Sequence, residues 1–133
     1  MIFWKKKENK EESFGARGET LAAEYLEKKG YKILDRNYKN DRGKRLGEID
    51  IVARKDGKIV FVEVKTRSLE NYESTLPEAN ITYAKLRKLA KIGQIYIKAH
   101  KLWDKPYQFD AVSIWLSADY KDAKIKHIES IFI

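Results

Sequence analysis

Residues 46–67, which read LGEIDIVARKDGKIVFVEVKTR, constrain the fold more than any other part of the chain. Two apolar runs in this stretch flank the tetrapeptide KDGK at residues 55–58. An Asp-Gly pair between two such runs is a strong hairpin signal, because glycine adopts a positive φ without steric cost. We therefore predict a β-hairpin whose two turn residues are Asp56 and Gly57.

The predicted register brings charged residues together at the open end of the hairpin. Counting outward from the turn places Asp50 opposite Glu63 and, further out, Glu48 opposite Lys65. All four side chains share one face, because side chains alternate along a strand. Two opposed carboxylates lie roughly 5 Å apart at Cβ and repel each other, whereas a divalent cation would use them as ligands. We therefore expect Asp50 and Glu63 to bind Mg²⁺ or Mn²⁺, with Lys65 beside the ion.

The same residues allow a second interpretation, in which the open end of the hairpin is a solvated strand end. Glu48 and Lys65 would then form a cross-strand ion pair, and Asp50 and Glu63 would face water. Charged pairs of this kind are common on protein surfaces. The apolar residues on both strands weaken this alternative but do not by themselves exclude it.

The composition indicates one domain with a basic surface. The chain has 133 residues, enough for one self-sufficient core, and a formal net charge of +8. This charge predicts a polyanionic partner, with nucleic acid expected before an acidic membrane. Because the chain contains no cysteine, disulfides and thiolate metal sites are excluded. No apolar stretch approaches the ~20 residues of a membrane helix, and we expect a cytoplasmic protein.

The first predicted helix covers residues 15–30 and ends at Gly30, a typical C-terminal cap. Residues 1–13 before it are predicted to form a flexible, charged arm. Glu19 falls at the edge of the apolar stripe, so it is the one carboxylate of this helix that could reach inward. From the residues alone we favour the alternative, a first-turn glutamate that is stabilised by the helix dipole.

The second predicted helix covers residues 81–101 and is strongly basic. Its exposed positions carry Lys85, Arg87, Lys88, Lys91, Lys98 and Lys101, with no acidic residue among them. A helix surface of one charge sign indicates contact with phosphates, and a lysine-rich solvated surface is the alternative. Residues 68–80 before this helix are predicted to be a loop, whose mobility would suit a gating role.

Strands are predicted, besides the hairpin, over residues 31–38, 107–116 and 124–133, with a polar loop at residues 40–45. Asp110 lies in an otherwise apolar strand, and we favour a structural hydrogen bond for it over a place in the site. The resulting order, α-β-β-β-α-β-β, predicts a mixed β-sheet flanked by helices with a buried central strand. We expect a single domain over residues 14–133.

Several short motifs, taken together, resemble the YraN family of small bacterial proteins. They are GxxGE at residues 15–19, GY at 30–31, RN at 36–37, GEID at 47–50 and FVEVKxR at 61–67. An acid in the first helix, followed by Asp50 and by the EVK sequence that begins at Glu63, is similar to the PD-(D/E)xK signature of nucleases with the restriction-endonuclease-like fold. The YraN family is related to Holliday-junction resolvases. Ile49 stands where the signature has proline, a position that contributes strand geometry and no metal ligand.

The resemblance implies a metal-dependent endonuclease that hydrolyses DNA phosphodiester bonds, with branched or damaged DNA as candidate substrates. It implies that Asp50 and Glu63 ligate Mg²⁺ or Mn²⁺ and that the Val64 carbonyl is a further donor. Glu19 would be a third carboxylate near the ion, and Lys65 would stabilise charge or help to position and deprotonate the attacking water. The residues expected to contact nucleic-acid phosphates are Arg17, Arg67, Lys85, Lys88 and Lys91. Because related resolvases pair to cut two strands, a homodimer is a further expectation.

Two other hypotheses remain open at this point. The chain could be a non-catalytic nucleic-acid-binding module that keeps the nuclease fold, which predicts salt-sensitive DNA binding without binding of Mg²⁺ or Mn²⁺. It could instead be an adaptor within a nucleoprotein complex, docking through Phe3 and Trp4, which predicts weak DNA binding.

Overall fold

The computed structural model describes residues 12–39, 47–79 and 81–131. Its elements are helix α1 (Phe14–Lys28), strands β1 (Lys32–Lys39), β2 (Glu48–Lys55) and β3 (Lys58–Ser68), a short 3₁₀ helix (Leu69–Ser74), helix α2 (Tyr83–Ala99), and strands β4 (Tyr107–Leu116) and β5 (Ala123–Ile128). The predicted element order is confirmed, with the 3₁₀ helix as an addition. The predicted loop at 40–45 and most of the predicted arm at 1–13 lie outside the described residues. In the described part of the chain, neither α-helix has the length and apolar character needed to cross a membrane.

The five strands form one mixed sheet in the order β1-β2-β3-β4-β5, with β3 in the centre. β3 runs parallel to β4, whereas the other neighbouring strands are antiparallel. Residues 59–62 of β3 are at most 2% exposed, which is typical of a strand covered on both faces. The prediction of a mixed sheet with a buried central strand is thus confirmed, and the architecture is consistent with a restriction-endonuclease-like fold.

The turn between β2 and β3 has the predicted conformation. Asp56 and Gly57 have φ values of 52° and 76°, and a type I′ turn requires positive φ at both of these positions. Lys55 consequently pairs with Lys58, as the register requires. The turn chemistry therefore determines which residues meet at the far end of the hairpin.

Each helix packs against one face of the sheet. Leu26 of α1 and Val62 of β3 belong to one buried apolar cluster. Ile92 of α2 and Phe61 of β3 belong to the other. Because Phe61 and Val62 are neighbours in a strand, their side chains point to opposite faces, and the sheet separates the two clusters.

Helix α1 lies unusually close to β3 at Gly18. A Cβ atom on Gly18 would overlap with the side chain of Thr66, so glycine permits an approach that any larger residue would prevent. Glu19 follows directly in the chain. The close contact at Gly18 therefore fixes how near Glu19 lies to the sheet.

The last strand is shorter than predicted. The sequence predicts a strand over residues 124–133, whereas β5 ends at Ile128. Ser130 has a φ of 54°, which is incompatible with a continuing strand, and its N–H donates to the Asp110 carboxylate at 2.9 Å. Asp110 is fully buried and also lies 2.8 Å from His127 Nε2. The structural role that we favoured for Asp110 is confirmed.

Candidate active site

Asp50 and Glu63 lie where the β2–β3 ladder ends. The last paired residues are Ile51 and Val62. Asp50 and Glu63 are the next residues beyond this pair, one on each strand. Asp50 Oδ2 accepts a hydrogen bond from the Val64 N–H at 2.8 Å. The carboxyl groups of Asp50 and Glu63 lie close enough for each to affect the pKa of the other. The two acids therefore lie side by side at the open end of the hairpin.

Burial raises the pKa of both acids. The pKa of Asp50 rises to about 8, mainly because the carboxyl group is buried and also because the charge of Glu63 lies nearby. Burial raises the pKa of Glu63 as well. Near neutral pH the pair therefore retains a proton, because the site does not accommodate two uncompensated negative charges. Neighbouring acids with strongly shifted pKa values are typical of functional sites.

Glu19 approaches the same acids from α1. Its negative charge contributes to the raised pKa of both Asp50 and Glu63, which indicates that it lies near them. Asn37 Nδ2 on β1 donates a hydrogen bond to Glu19 Oε1 at 2.9 Å. Asn37 has a φ of 52°, a conformation that asparagine tolerates better than most residues. Asn37 thus fixes the orientation of the Glu19 carboxylate.

Two lysines bring positive charge to Glu63. Lys85 Nζ, from the first turn of α2, lies 3.8 Å from Glu63 Oε2, and Lys65 lies two residues after Glu63 on β3. Both positive charges oppose the rise in the pKa of Glu63. The three side chains line one small cavity, whose wall also includes Pro77 and Ala79.

Glu48 does not pair with Lys65, as the solvated-strand interpretation required. Its Oε2 atom lies 3.7 Å from Lys39 Nζ, because β1 pairs with β2 and places Lys39 opposite Glu48. Glu48 lines a second cavity together with Glu63 and Lys88. The ion pair proposed in that alternative is therefore wrong, and Lys65 is exposed at the site.

The residues predicted to contact nucleic-acid phosphates differ from one another in their distance from the acid pair. Lys85 and Lys88 both line the cavity beside Glu63, whereas Lys91 is exposed further along α2 and lines neither cavity. Arg17 Nη1 lies 3.7 Å from Glu12 Oε1, and the Arg17 side chain is 18% exposed. Two of these residues thus lie next to the acid pair.

Arg67 was predicted to contact a nucleic-acid phosphate, but its side chain is buried. The residue is 8% exposed, and its Nη1 atom donates to Ser113 Oγ at 2.9 Å. Its Nη2 atom donates to the Ala79 carbonyl. The guanidinium is occupied by internal contacts, because Ser113 on β4 and the chain at Ala79 cover the same face of the sheet. Arg67 therefore does not present its charge to solvent.

Asp50 and Glu63 form a pair of acids rather than a complete set of metal ligands. Among residues 12–39, 47–79 and 81–131, no three Asp, Glu, His or Cys side chains form a cluster suited to hold a metal ion. Asp50 and Glu63 lie side by side, and the Glu19 carboxylate nearby accepts a hydrogen bond from Asn37. Any ligand beyond these three carboxylates would have to come from backbone carbonyls, water or substrate.

Comparison with known proteins places the chain in a family. The model described as "Uncharacterised protein family UPF0102" matches residues 18–114. The chain belongs to the UPF0102 family. A UPF0102 protein of Syntrophomonas wolfei is 47% identical over 118 residues, which cover 89% of this chain and 96% of the relative. A UPF0102 protein of Caldanaerobacter subterraneus is 40% identical over 128 residues, which cover 96% and 99% of the two chains. The predicted membership of the YraN-like family is confirmed.

Sequence reasoning assigned no role to two residues that support the site of this UPF0102 protein. Asn37 belongs to the RN motif near the end of the predicted strand, and the signal for its role was its residue type, because asparagine tolerates a positive φ. Ser113 is a polar residue in the apolar strand β4. Asp110, three residues earlier in the same strand, was singled out for the same reason, and that reason applied equally to Ser113.

Proposed function

We propose that this UPF0102 protein is a metal-dependent endonuclease that hydrolyses phosphodiester bonds in DNA. The observation that carries the proposal is the position of Asp50 and Glu63, two acids that lie side by side at the end of a buried ladder and affect each other's ionisation. Two adjacent acids repel each other when both are charged, which destabilises the fold unless a cation binds between them. Lys65 and Lys85 beside them supply the positive charge that a phosphodiester substrate requires.

The donor set fits Mg²⁺ or Mn²⁺. Both ions prefer oxygen ligands, and the carboxylates of Asp50 and Glu63 provide them, with the Val64 carbonyl and Glu19 as the further donors that we propose. Mg²⁺ is commonly held by one or two carboxylates together with water and substrate phosphates. A two-acid site without a third preassembled ligand therefore suits this ion.

When bound, a divalent ion lowers the pKa of a coordinated water and neutralises charge on the phosphate oxygens. The protein's own residues do the rest. Asp50 and Glu63 are held in position by the Val64 N–H and by the rigid hairpin. Lys65 extends from the central strand as a preorganised positive charge that stabilises the phosphorane-like transition state. In the overall reaction, water adds to phosphorus, the bond from phosphorus to one sugar oxygen breaks, and that oxygen takes up a proton.

Helix α2 provides the surface along which the DNA backbone would lie. Lys85 and Lys88 line the cavity beside Glu63, and Lys91 continues the basic surface one turn further along. Positive groups spaced along a helix bind phosphates in a sequence-independent and salt-sensitive manner. The net charge of +8 is consistent with such binding. We propose branched DNA as the preferred substrate on the basis of the resemblance to resolvases.

A cleavage assay tests the proposal. Single-stranded, duplex, flap and four-way-junction DNA, with matched RNA, are incubated with Mg²⁺, with Mn²⁺ and with EDTA. We expect metal-dependent cleavage of at least one DNA substrate, and we expect it to be lost in D50N and in K65A. K32A is the control, because Lys32 is an exposed lysine at the start of β1. Salt-sensitive DNA binding without cleavage of any substrate would favour a binding module or adaptor instead.

A further inference from the structure

Arg67 and Ser113 form hydrogen bonds that hold the chain around residues 77–79 against the face of the sheet that α2 covers. Arg67 donates to Ser113 Oγ and to the Ala79 carbonyl. Ser113 Oγ in turn donates to the Pro77 carbonyl at 2.7 Å. Two carbonyl groups that are two residues apart in the chain are thus bonded to adjacent strands, β3 and β4. We call residues 75–79 and 81–82 the covering segment.

The covering segment forms part of the candidate active site. Pro77, Ala79 and Ile81 line the same cavity as Glu63 and Lys85. The segment ends at Thr82, the N-cap of α2, whose side-chain oxygen accepts a hydrogen bond from the Lys85 N–H at 3.2 Å. The place of Lys85 in the site therefore depends on where the covering segment holds the first turn of α2.

Only arginine satisfies this set of contacts. Its guanidinium carries several N–H donors in a fixed plane, so Nη1 and Nη2 reach Ser113 and Ala79 at the same time. The ring of Trp115 lies 5.5 Å from the guanidinium carbon, a distance typical of a cation–π contact. A lysine at this position has one nitrogen and no planar fork, so it would lose part of this arrangement.

We propose that Arg67 is a positioning residue, which acts through the covering segment to hold Lys85 beside Glu63. The inference rests on the proposed function, since it assigns Lys85 to the binding of a substrate phosphate. It replaces the direct phosphate contact expected for Arg67 from the sequence. The charge of Arg67 stabilises the local structure of the site, and the charge of Lys85 binds the substrate phosphate.

A double-mutant cycle on DNA binding tests this inference. Binding of a labelled four-way junction is measured in EDTA, so that cleavage plays no part, for the parent, R67K, K85Q and the double variant. If Arg67 acts through Lys85, R67K weakens binding about fivefold in the parent but less than about twofold in the K85Q background, because coupled residues are not additive. The control cycle pairs R67K with K91Q, where the effects should add, because Lys91 lies further along α2 and lines neither cavity.

Hydrogen exchange distinguishes this positioning role from a general effect on stability. Loss of global stability would speed exchange throughout the sheet, whereas loss of positioning speeds it only in the covering segment and the first turn of α2. R67K and the milder S113A should speed exchange of the amides in residues 78–79 and 81–86 and leave the β2–β3 ladder amides protected. Equal losses from R67K in the parent and K85Q backgrounds, or unchanged exchange at these amides, would overturn the inference while leaving the nuclease proposal intact. A parent protein that does not bind DNA would instead overturn the proposed function, and the inference with it.

Discussion

Asp50 Oδ2 accepts a hydrogen bond from the N–H of Val64 at 2.8 Å, in the position where the β2–β3 ladder has just ended at Ile51 and Val62. The carboxylate thus satisfies a backbone donor of the central strand. Asp50 therefore has a structural role in addition to the proposed metal-binding role. The two roles are separable, because an amide oxygen can accept the same hydrogen bond without carrying charge.

We predict that D50N is more stable than the parent in EDTA at mildly alkaline pH, by several degrees in Tm or about 1–2 kcal/mol. The amide keeps an acceptor for the Val64 N–H and removes the repulsion with Glu63. D50A should be less stable than D50N by about 1–3 kcal/mol, because it leaves a buried donor unpaired. Thermal unfolding of the three proteins checks this order, and D50A as stable as D50N would contradict it.

The pH dependence of unfolding should also report the ionisation of Asp50. Folding raises the pKa of Asp50 from 3.8 to about 8, so the folded protein keeps a proton that the unfolded chain releases. The free energy of unfolding attributable to Asp50 is therefore highest below pH 4 and falls as the pH rises toward 8. Urea unfolding in EDTA should show this fall in the parent and a weaker one in D50N. Parallel curves for the two proteins would rule out the assignment.

Replacing Gly18 should move α1 away from the sheet. G18A places a methyl group against Thr66, and overpacking of this kind costs about 1–3 kcal/mol. We also expect lower cleavage activity, because Glu19 is displaced with the helix. G15A is the matched control, since a Cβ at Gly15 meets nothing within 4 Å. Equal unfolding temperatures for the two variants would show that the close approach at Gly18 is not required.

Asn37 should contribute to activity through Glu19. N37G retains access to positive φ and loses the hydrogen bond to Glu19 Oε1, so we expect activity to fall by about tenfold, as is typical for partners of metal-site carboxylates. N37D should be worse, because its carboxylate repels Glu19. Cleavage rates and circular dichroism of both variants check this prediction. Full activity in N37G would show that Glu19 needs no such support.

Lys85 should compete with the metal ion for Glu63. Its ammonium lies 3.8 Å from Glu63 Oε2, and removing a partly exposed ion pair of this kind changes the free energy of Mn²⁺ binding by up to about 1 kcal/mol. K85Q is therefore expected to bind Mn²⁺ more tightly than the parent in the absence of DNA, by roughly twofold to fivefold. K98Q, at the exposed far end of α2, makes the same charge change and should have no effect. Weaker Mn²⁺ binding in K85Q would contradict the competition.

The parts of the fold that depend on local chemistry were predictable from the sequence. The Asp56–Gly57 turn determined the hairpin register, and the apolar periodicity located both helices. The positions of Arg67 and Ser113 were not predictable, because their contacts join β3 and β4 to a loop whose path depends on tertiary packing. The early end of β5 was missed for a related reason, since the buried Asp110 captures the Ser130 N–H.

The most direct measurement is a titration of the parent and of E63Q with Mn²⁺ near neutral pH, followed by electron paramagnetic resonance. E70Q is the control, because Glu70 is an exposed acid on the 3₁₀ helix. We predict saturable binding at millimolar or lower Mn²⁺ in the parent and in E70Q, and its loss in E63Q. Binding of equal strength in E63Q, or no binding in the parent, would contradict the proposal that Asp50 and Glu63 form a metal site.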